Sequence, residues 1–105
     1  MSLEKRKPIR SEAILKSAEG ESCTICGKND GTTVFCHLNE SWAGKGMGQK
    51  ADDIAGFFGC NECHDLYDQR SSNLYNHSQY EIMRAMYRTW VSLIAKGIIT
   101  IKDAK

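Results

Sequence analysis

Cys23-Thr24-Ile25-Cys26-Gly27-Lys28 and Cys60-Asn61-Glu62-Cys63-His64 are the two stretches that decide the fold. Each holds two cysteines at C-x2-C spacing, and thirty-three residues lie between the pairs. Four soft thiolates able to converge on one point suit a tetrahedral Zn²⁺ ion. The two pairs differ in setting. The first stands in a glycine-terminated turn, where a backbone knuckle aims both sulfurs one way. The second opens a helix, on which residues three apart share a face. Two unrelated pairs of buried free cysteines are the bland alternative, and the spacing argues against them. A thioredoxin-like redox pair needs a surrounding βαβ pattern, which is missing here. The fifth cysteine, Cys36, is expected to pack as a small apolar side chain, because four ligands already complete a structural site.

Working outward from the first knuckle, Asn29-Asp30-Gly31 is turn-prone, and Thr32 to Leu38 is β-branched and apolar, a strand pattern. From Asn39 to Asp53 the chain is polar and glycine-rich, with Gly44-Lys45-Gly46-Met47-Gly48 at its centre. A loop of that length inside a small domain is often functional. Ile54 to Phe58 reads as a short return strand, and Cys60 to about Arg70 as a helix. Ser71 to His77 is a polar connection. Ser78 and Glu81 then form an S-x-x-E capping box for the longest helix, which runs to Lys96 with Gly97 at its boundary. Its periodicity places Ile82, Met86, Trp90 and Leu93 on one face. Ile98 to Ile101 suggests a brief last strand. On the N-terminal side, Ser11 can cap a short helix from Glu12 to Ala18 that Gly20 ends. Residues 1–10 read as a flexible basic arm, with Lys5, Arg6, Lys7 and Arg10 around the only proline, and residues 11–105 as one domain. Knuckle, hairpin and a helix carrying the second cysteine pair follow the order of a treble clef.

Composition narrows the function classes. The chain has 105 residues, 41% apolar and 26% charged, which is ordinary globular usage and argues against low-complexity disorder. A formal net charge of +1 supplies no bulk field for nucleic acid or an anionic membrane, so any DNA contact must come from a local patch. No run approaches the roughly 18 apolar residues of a membrane helix, and the N-terminus lacks a secretory apolar core. A cytoplasmic location is therefore expected, where closely spaced cysteines act as metal ligands before they form disulfides.

The C-x2-C knuckle, a strand ending in His37, a long loop, and a second C-x2-C followed at once by His64 resemble the HNH, or ββα-metal, nuclease motif. More narrowly, Thr32-Thr33-Val34-Phe35-Cys36-His37-Leu38, the Gly-Lys-Gly loop and Cys60-x2-Cys63-His64-Asp65-x2-Asp68 are similar to the YbcO-type family of prophage-encoded nucleases. Arg88-Thr89 through Leu93-Ile94 to Lys96-Gly97-Ile98-Ile99 fits as well, so the resemblance spans about residues 11 to 101. It implies an α+β fold: a small treble-clef, ββα-metal, HNH-like zinc domain with flanking N- and C-terminal helices. It also implies a metal-dependent DNA endonuclease of phage or prophage recombination, working on DNA that includes branched intermediates.

In that reading His37 is the base that deprotonates water, a task an imidazole suits near neutral pH. His64 and Asp68, spaced i, i+4, would hold a catalytic Mg²⁺ or Mn²⁺ ion facing His37, while Cys23, Cys26, Cys60 and Cys63 hold the structural zinc. Lys45 in the glycine loop can meet a phosphate. Each residue has a plainer explanation. His37 can be a half-buried strand residue, His64 a donor that orients a thiolate, and Asp65 and Asp68 simple responses to the helix dipole. Trp42 can stack on a base or pack on the core. Arg84 and Arg88 can track a DNA backbone or line a solvated face. The long helix can close the core or join two copies as a homodimer. The HNH pattern usually has Asp or His before its first histidine, where this chain has Cys36, and Asn where this chain has Ala55. Asp52, Asp53 and Asn61 are close but out of register, which leaves the middle residue unassigned. The alternative function is a zinc-stabilised DNA- or protein-binding module without catalysis.

Overall fold

A computed structural model of the chain describes residues 7–46, 48–68 and 78–104. Its elements are α1 (Glu12–Lys16), β1 (Val34–His37), a 3-10 turn (Ser41–Ala43), β2 (Gly56–Gly59), α2 (Asn61–Asp68) and α3 (Gln79–Ala95). The result is a small α+β arrangement of two antiparallel strands and three helices. The expected connection Ser71–His77 and the end of the second helix at Gln69 and Arg70 lie outside the described residues.

Ser11 caps α1 as its sequence suggests, its hydroxyl accepting from the Ile14 amide. The helix ends two residues early, at Lys16, because Ser17 takes the C-cap and its hydroxyl donates to the Ile14 carbonyl at 2.6 Å. Ahead of it, Ile9 and Arg10 are docked. The Ile9 amide donates to Asp52 Oδ1, the Asp53 amide donates to the Ile9 carbonyl, and the Arg10 guanidinium donates to the carbonyls of Lys50 and Ala51. Those bonds tie the basic segment from Ile9 onward to the long loop.

β1 and β2 pair antiparallel, with Val34 opposite Gly59, Phe35 opposite Phe58, Cys36 opposite Phe57 and His37 opposite Gly56. Strand alternation then gives the hairpin two faces. Cys36 and Phe57 point to one, where the Tyr67 ring of α2 meets Phe57 edge-on at 5.4 Å. Phe35, His37 and Phe58 point to the other, where Ile14 and Ala18 from the α1 region and Leu93 of α3 close a second apolar cluster. The return strand starts later than Ile54. Ile54 and Ala55 form a turn, with the Ala55 amide on the Asp52 carbonyl, and the glycines at 56 and 59 enter the ladder instead. Close approach explains them. A Cβ on Gly59 would stand 2.7 Å from Cys36 Sγ, and one on Gly56 would overlap the Cys36 carbonyl and the Phe35 ring.

α3 begins with the complete capping box, Ser78 and Glu81 each bonding the other's backbone amide. Its buried residues are Ile82, Ala85, Thr89 and Leu93, one stripe at helical spacing. The smaller Ala85 and Thr89 lie where the helix approaches β2, and the Thr89 hydroxyl accepts from the Phe58 amide at 3.0 Å. Met86 is half-buried, and Trp90 lies at the rim with its indole N–H on the Ile54 carbonyl. No strand forms at Ile98–Ile101. Gly97, at φ 74°, reverses the chain so that the amides of Ile98 and Ile99 both donate to Leu93, and both isoleucines pack against the Phe58–Leu93 cluster. Lys96 fastens this end to the α1 region, donating to the Ser17 carbonyl and pairing with Glu21 at 2.6 Å. Among the described residues no helix is long and apolar enough to cross a membrane.

Gly56→Ala tests the close approach. The added methyl must displace backbone, so urea unfolding is expected to show a loss of about 1–3 kcal/mol. Gly46→Ala, where nothing lies within 4 Å of the new Cβ, is the control.

Candidate functional site

The first knuckle folds through local bonds. The Cys23 amide donates to the Lys28 carbonyl and the Gly27 amide to the Cys23 carbonyl, with Gly27 at φ 80° completing the turn. Thr24 anchors it, since both its amide and its hydroxyl donate to the Phe58 carbonyl of β2. The second pair follows directly from β2, and the His64 amide bonds the Cys60 carbonyl in the first turn of α2. The Asn61 amide is satisfied by the Thr32 hydroxyl.

These anchors bring the sulfurs of Cys23, Cys26, Cys60 and Cys63 within 4.8 Å of one another. The Cys26 and Cys60 sulfurs are 3.7 Å apart. Four sulfurs at about 2.3 Å from a tetrahedral zinc stand about 3.8 Å from each other, so the donor set fits that ion in both chemistry and size. Cys23, Cys60 and Cys63 are buried and Cys26 is exposed. Burial works against charge on Cys23, yet amides of Cys26, Cys60 and Ile25 outweigh it and bring the thiol down to about 7. Burial and the charge of Cys23 push Cys63 the other way. The cluster thus has one thiol ready to ionise, and a bound cation would supply the countercharge the others need. Cys36 stays outside the set. It is fully buried on the hairpin, and burial, with the nearby Asp68 charge, pushes its thiol up to about 12.

His37, the last residue of β1, has found a partner the sequence left unassigned. Its Nε2 lies 2.8 Å from Asp53 Oδ1. The Asp53 carboxylate is almost wholly buried, at 2% exposure, and its other oxygen accepts from the Ser11 amide at 2.7 Å. The Arg10 guanidinium stands 3.7 Å from the oxygen that holds His37. Burial opposes ionisation of Asp53, but the bonds from His37 and Ser11 prevail and keep its carboxyl below the usual range. An ionised Asp53 must accept, so Nε2 carries the hydrogen of neutral His37 and Nδ1 keeps its lone pair. Sequence reasoning named Asp53 only as an out-of-register stand-in for the motif's middle residue and Arg10 only as part of the basic arm, and missed their place beside His37. Their only signal was an acidic pair, Asp52-Asp53, set against an apolar strand.

His64 and Asp68 share a side of α2, with Nε2 and Oδ2 3.2 Å apart, both partly or fully exposed. Among the described residues each imidazole is paired with its own carboxylate, His37 with Asp53 and His64 with Asp68. His37 starts from the Phe35 face of the hairpin, whereas α2 packs on the Cys36 face. They share one end of it, however. The Asn39 amide, two residues beyond His37, donates to the Tyr67 hydroxyl at 3.0 Å, so the last turn of α2 reaches the His37 end. Lys45 is exposed on the long loop, and Trp42 is 68% exposed beside it. Arg84 lies over the Tyr80 ring, and Arg88 donates to the Thr24 carbonyl, bracing the knuckle.

Metal analysis of the purified protein is expected to give one zinc per chain. Cys63→Ser should lose it along with the cooperative unfolding transition, because binding energy of a structural zinc is folding energy. Cys36→Ser should keep it. Retention of stoichiometric zinc by Cys63→Ser would reject the four-thiolate site.

Among known proteins, neither a curated protein nor a solved structure gives a significant match. A family model does: residues 12–98, from the first residue of α1 to the turn after α3, match the one described as "Putative nuclease YbcO". With most of its length so matched, the four clustered cysteines and His37 and His64 included, the chain belongs to the YbcO nuclease family.

Proposed function

We propose that the chain is a metal-dependent DNA endonuclease of HNH type, built on a treble-clef zinc core and acting in phage or prophage recombination. The observation that carries this reading is the buried Asp53 holding His37 at the loop end of the hairpin, opposite the end where the four cysteines converge. A strand histidine with a purely structural task does not need a buried carboxylate to set its tautomer. With Nε2–H held by Asp53, Nδ1 is the nitrogen that takes a proton from water attacking the phosphodiester. His64 and Asp68 are the residues that would hold Mg²⁺ or Mn²⁺, whose chemistry there is to neutralise charge on the scissile phosphate. They can reach a phosphate lying across the hairpin end because the last turn of α2 is fastened there through Tyr67. Lys45 would contact the neighbouring backbone.

Branched DNA is the substrate that recombination supplies, and a homodimer would present two such sites to it. Tyr80, Met83, Tyr87, Trp90 and Ile94 support the dimer. They repeat at heptad spacing on the face of α3 away from the core, and all are exposed. A second reading, binding of DNA or a protein without cleavage, is favoured by the two hairpin faces that separate His37 from α2. The neutral thiol of Cys36, standing where the HNH pattern places a further anionic or imidazole ligand, also favours it.

Incubation with supercoiled plasmid and Mn²⁺ or Mg²⁺ separates the two. Nicking is expected, reduced about 10²–10⁴-fold by His37→Ala, the range a positioned general base contributes. Asp53→Asn should lower the rate in the same direction while leaving zinc content unchanged. No nicking by the wild type with either cation, or undiminished nicking by His37→Ala, would reject the endonuclease.

A further inference from the structure

The loop between β1 and β2 carries more chemistry than a connection requires. Its 3-10 turn, Ser41–Ala43, holds the Trp42 indole on the surface, although aromatic rings are ordinarily worth burying. Beyond it Gly46 and Gln49 exchange two backbone bonds of 3.0 and 2.9 Å. That bridge sets Lys45 and Lys50 directly opposite each other on the arms of a small hairpin. Both are exposed and neither forms a close salt bridge among the described residues, although the charge of Lys50 helps keep Asp53 ionised. Like charges facing across a hairpin repel. The positive strip continues through Arg10, whose guanidinium lies on the Lys50 and Ala51 carbonyls and beside the carboxylate that holds His37. On its other side Trp42 borders a mostly apolar groove of about 340 Å³, walled by Leu38, Tyr67, Ile82, Met83 and Met86, with Glu40 and Gln79 also lining it.

We infer that this loop binds a single nucleic-acid strand, one unpaired base stacking on Trp42 at the groove while the flanking phosphates meet Lys45 and Lys50. The strand then leads past Arg10 to His37. Charge complementarity chooses the occupant. A phosphodiester relieves the repulsion between the lysines, and the ring attached to it fills the space beside the indole, the pairing of cationic track and aromatic platform that single-strand binders use. A duplex offers phosphates but no free base face. The inference rests on the nuclease reading only for the direction of the strand toward His37. Binding itself is measurable without cleavage.

The test uses the full chain and a fifteen-nucleotide oligothymidylate without divalent cation. Trp42 and Trp90 are the only tryptophans, and the Trp90 indole is bonded to Ile54, so quenching on binding reports Trp42. The wild type should be quenched. Trp42→Ala should abolish the quench and weaken binding roughly 5- to 100-fold, the worth of one stacked base. Lys45→Ala and Lys50→Ala should each lower the slope of log affinity against log salt by about 0.7. Lys16→Ala, on α1, should lower neither. A duplex of the same length should bind more weakly and ignore Trp42→Ala. Absence of quenching, unchanged strand binding by Trp42→Ala, or unchanged salt slopes in both lysine variants would overturn the inference. His37-dependent plasmid nicking alongside such results would leave the nuclease reading standing. Trp42- and lysine-dependent strand binding without any nicking would do the reverse.

Discussion

The convergence of four sulfurs is the constraint on which the other contacts depend. α1 has five residues and each strand four, too few for local structure to hold itself together. The knuckle reaches β2 through two bonds from Thr24 to one carbonyl, and α2 starts only two residues after that strand ends. A metal closing Cys23 and Cys26 onto Cys60 and Cys63 makes these neighbours a single unit. Structural zinc sites bind with about 10–16 kcal/mol, comparable to the whole stability of an ordinary domain, so an ion held by this cluster would be part of the folding equilibrium. Bonds from nearby amides lower the Cys23 thiol while burial and the charge of Cys23 raise Cys63, so the cluster holds sulfurs of opposite tendency side by side.

What the cluster fixes at one end, the hairpin distributes at the other. Two-residue alternation sends Cys36 inward against α2 and His37 to the opposite face. The two therefore meet different environments despite being neighbours in sequence: a dry apolar cluster for the thiol, a buried carboxylate and a guanidinium for the imidazole. The end of the hairpin that carries His37 is also fastened to α2, through Asn39, whose amide donates to the Tyr67 hydroxyl.

The parts legible in the sequence are those whose signal is local. The capping box at Ser78 and Glu81, the cap at Ser11, the C-x2-C knuckles and the His64–Asp68 spacing each need only four or five consecutive residues, and the structure places them as read. The misread elements were decided by distant contacts. Ile98 to Ile101 has strand composition, but Gly97 reverses the chain and folds it onto Leu93 instead. Gly56 and Gly59 look like strand breakers, yet the crowding of Cys36 and Phe35 makes them the residues that let the strands approach. The pairing of Asp53 with His37 was unreadable for a related reason. The partners of Asp53 are sixteen and forty-two residues away, and nothing in its neighbours announces a buried charge.

Asp52 and Asp53 also show why the long loop is more than a tether. Both are buried, and buried carboxylates need bonding partners to be tolerated. Consecutive residues point in different directions, so the two satisfy this in different places. Asp52 turns toward the loop base, where its amide bonds the Ala43 carbonyl, its carboxylate accepts from Ile9, and Gly44 at φ 96° leaves the room that a side chain would take. Asp53 turns toward the hairpin and holds His37 while taking the Ser11 amide. The segment Ile9–Ser11 is therefore bonded to both aspartates. A loop hung only from its two strands would leave His37 free to rotate. Pinned from the N-terminal side as well, the loop, the basic segment and the imidazole keep one fixed relation.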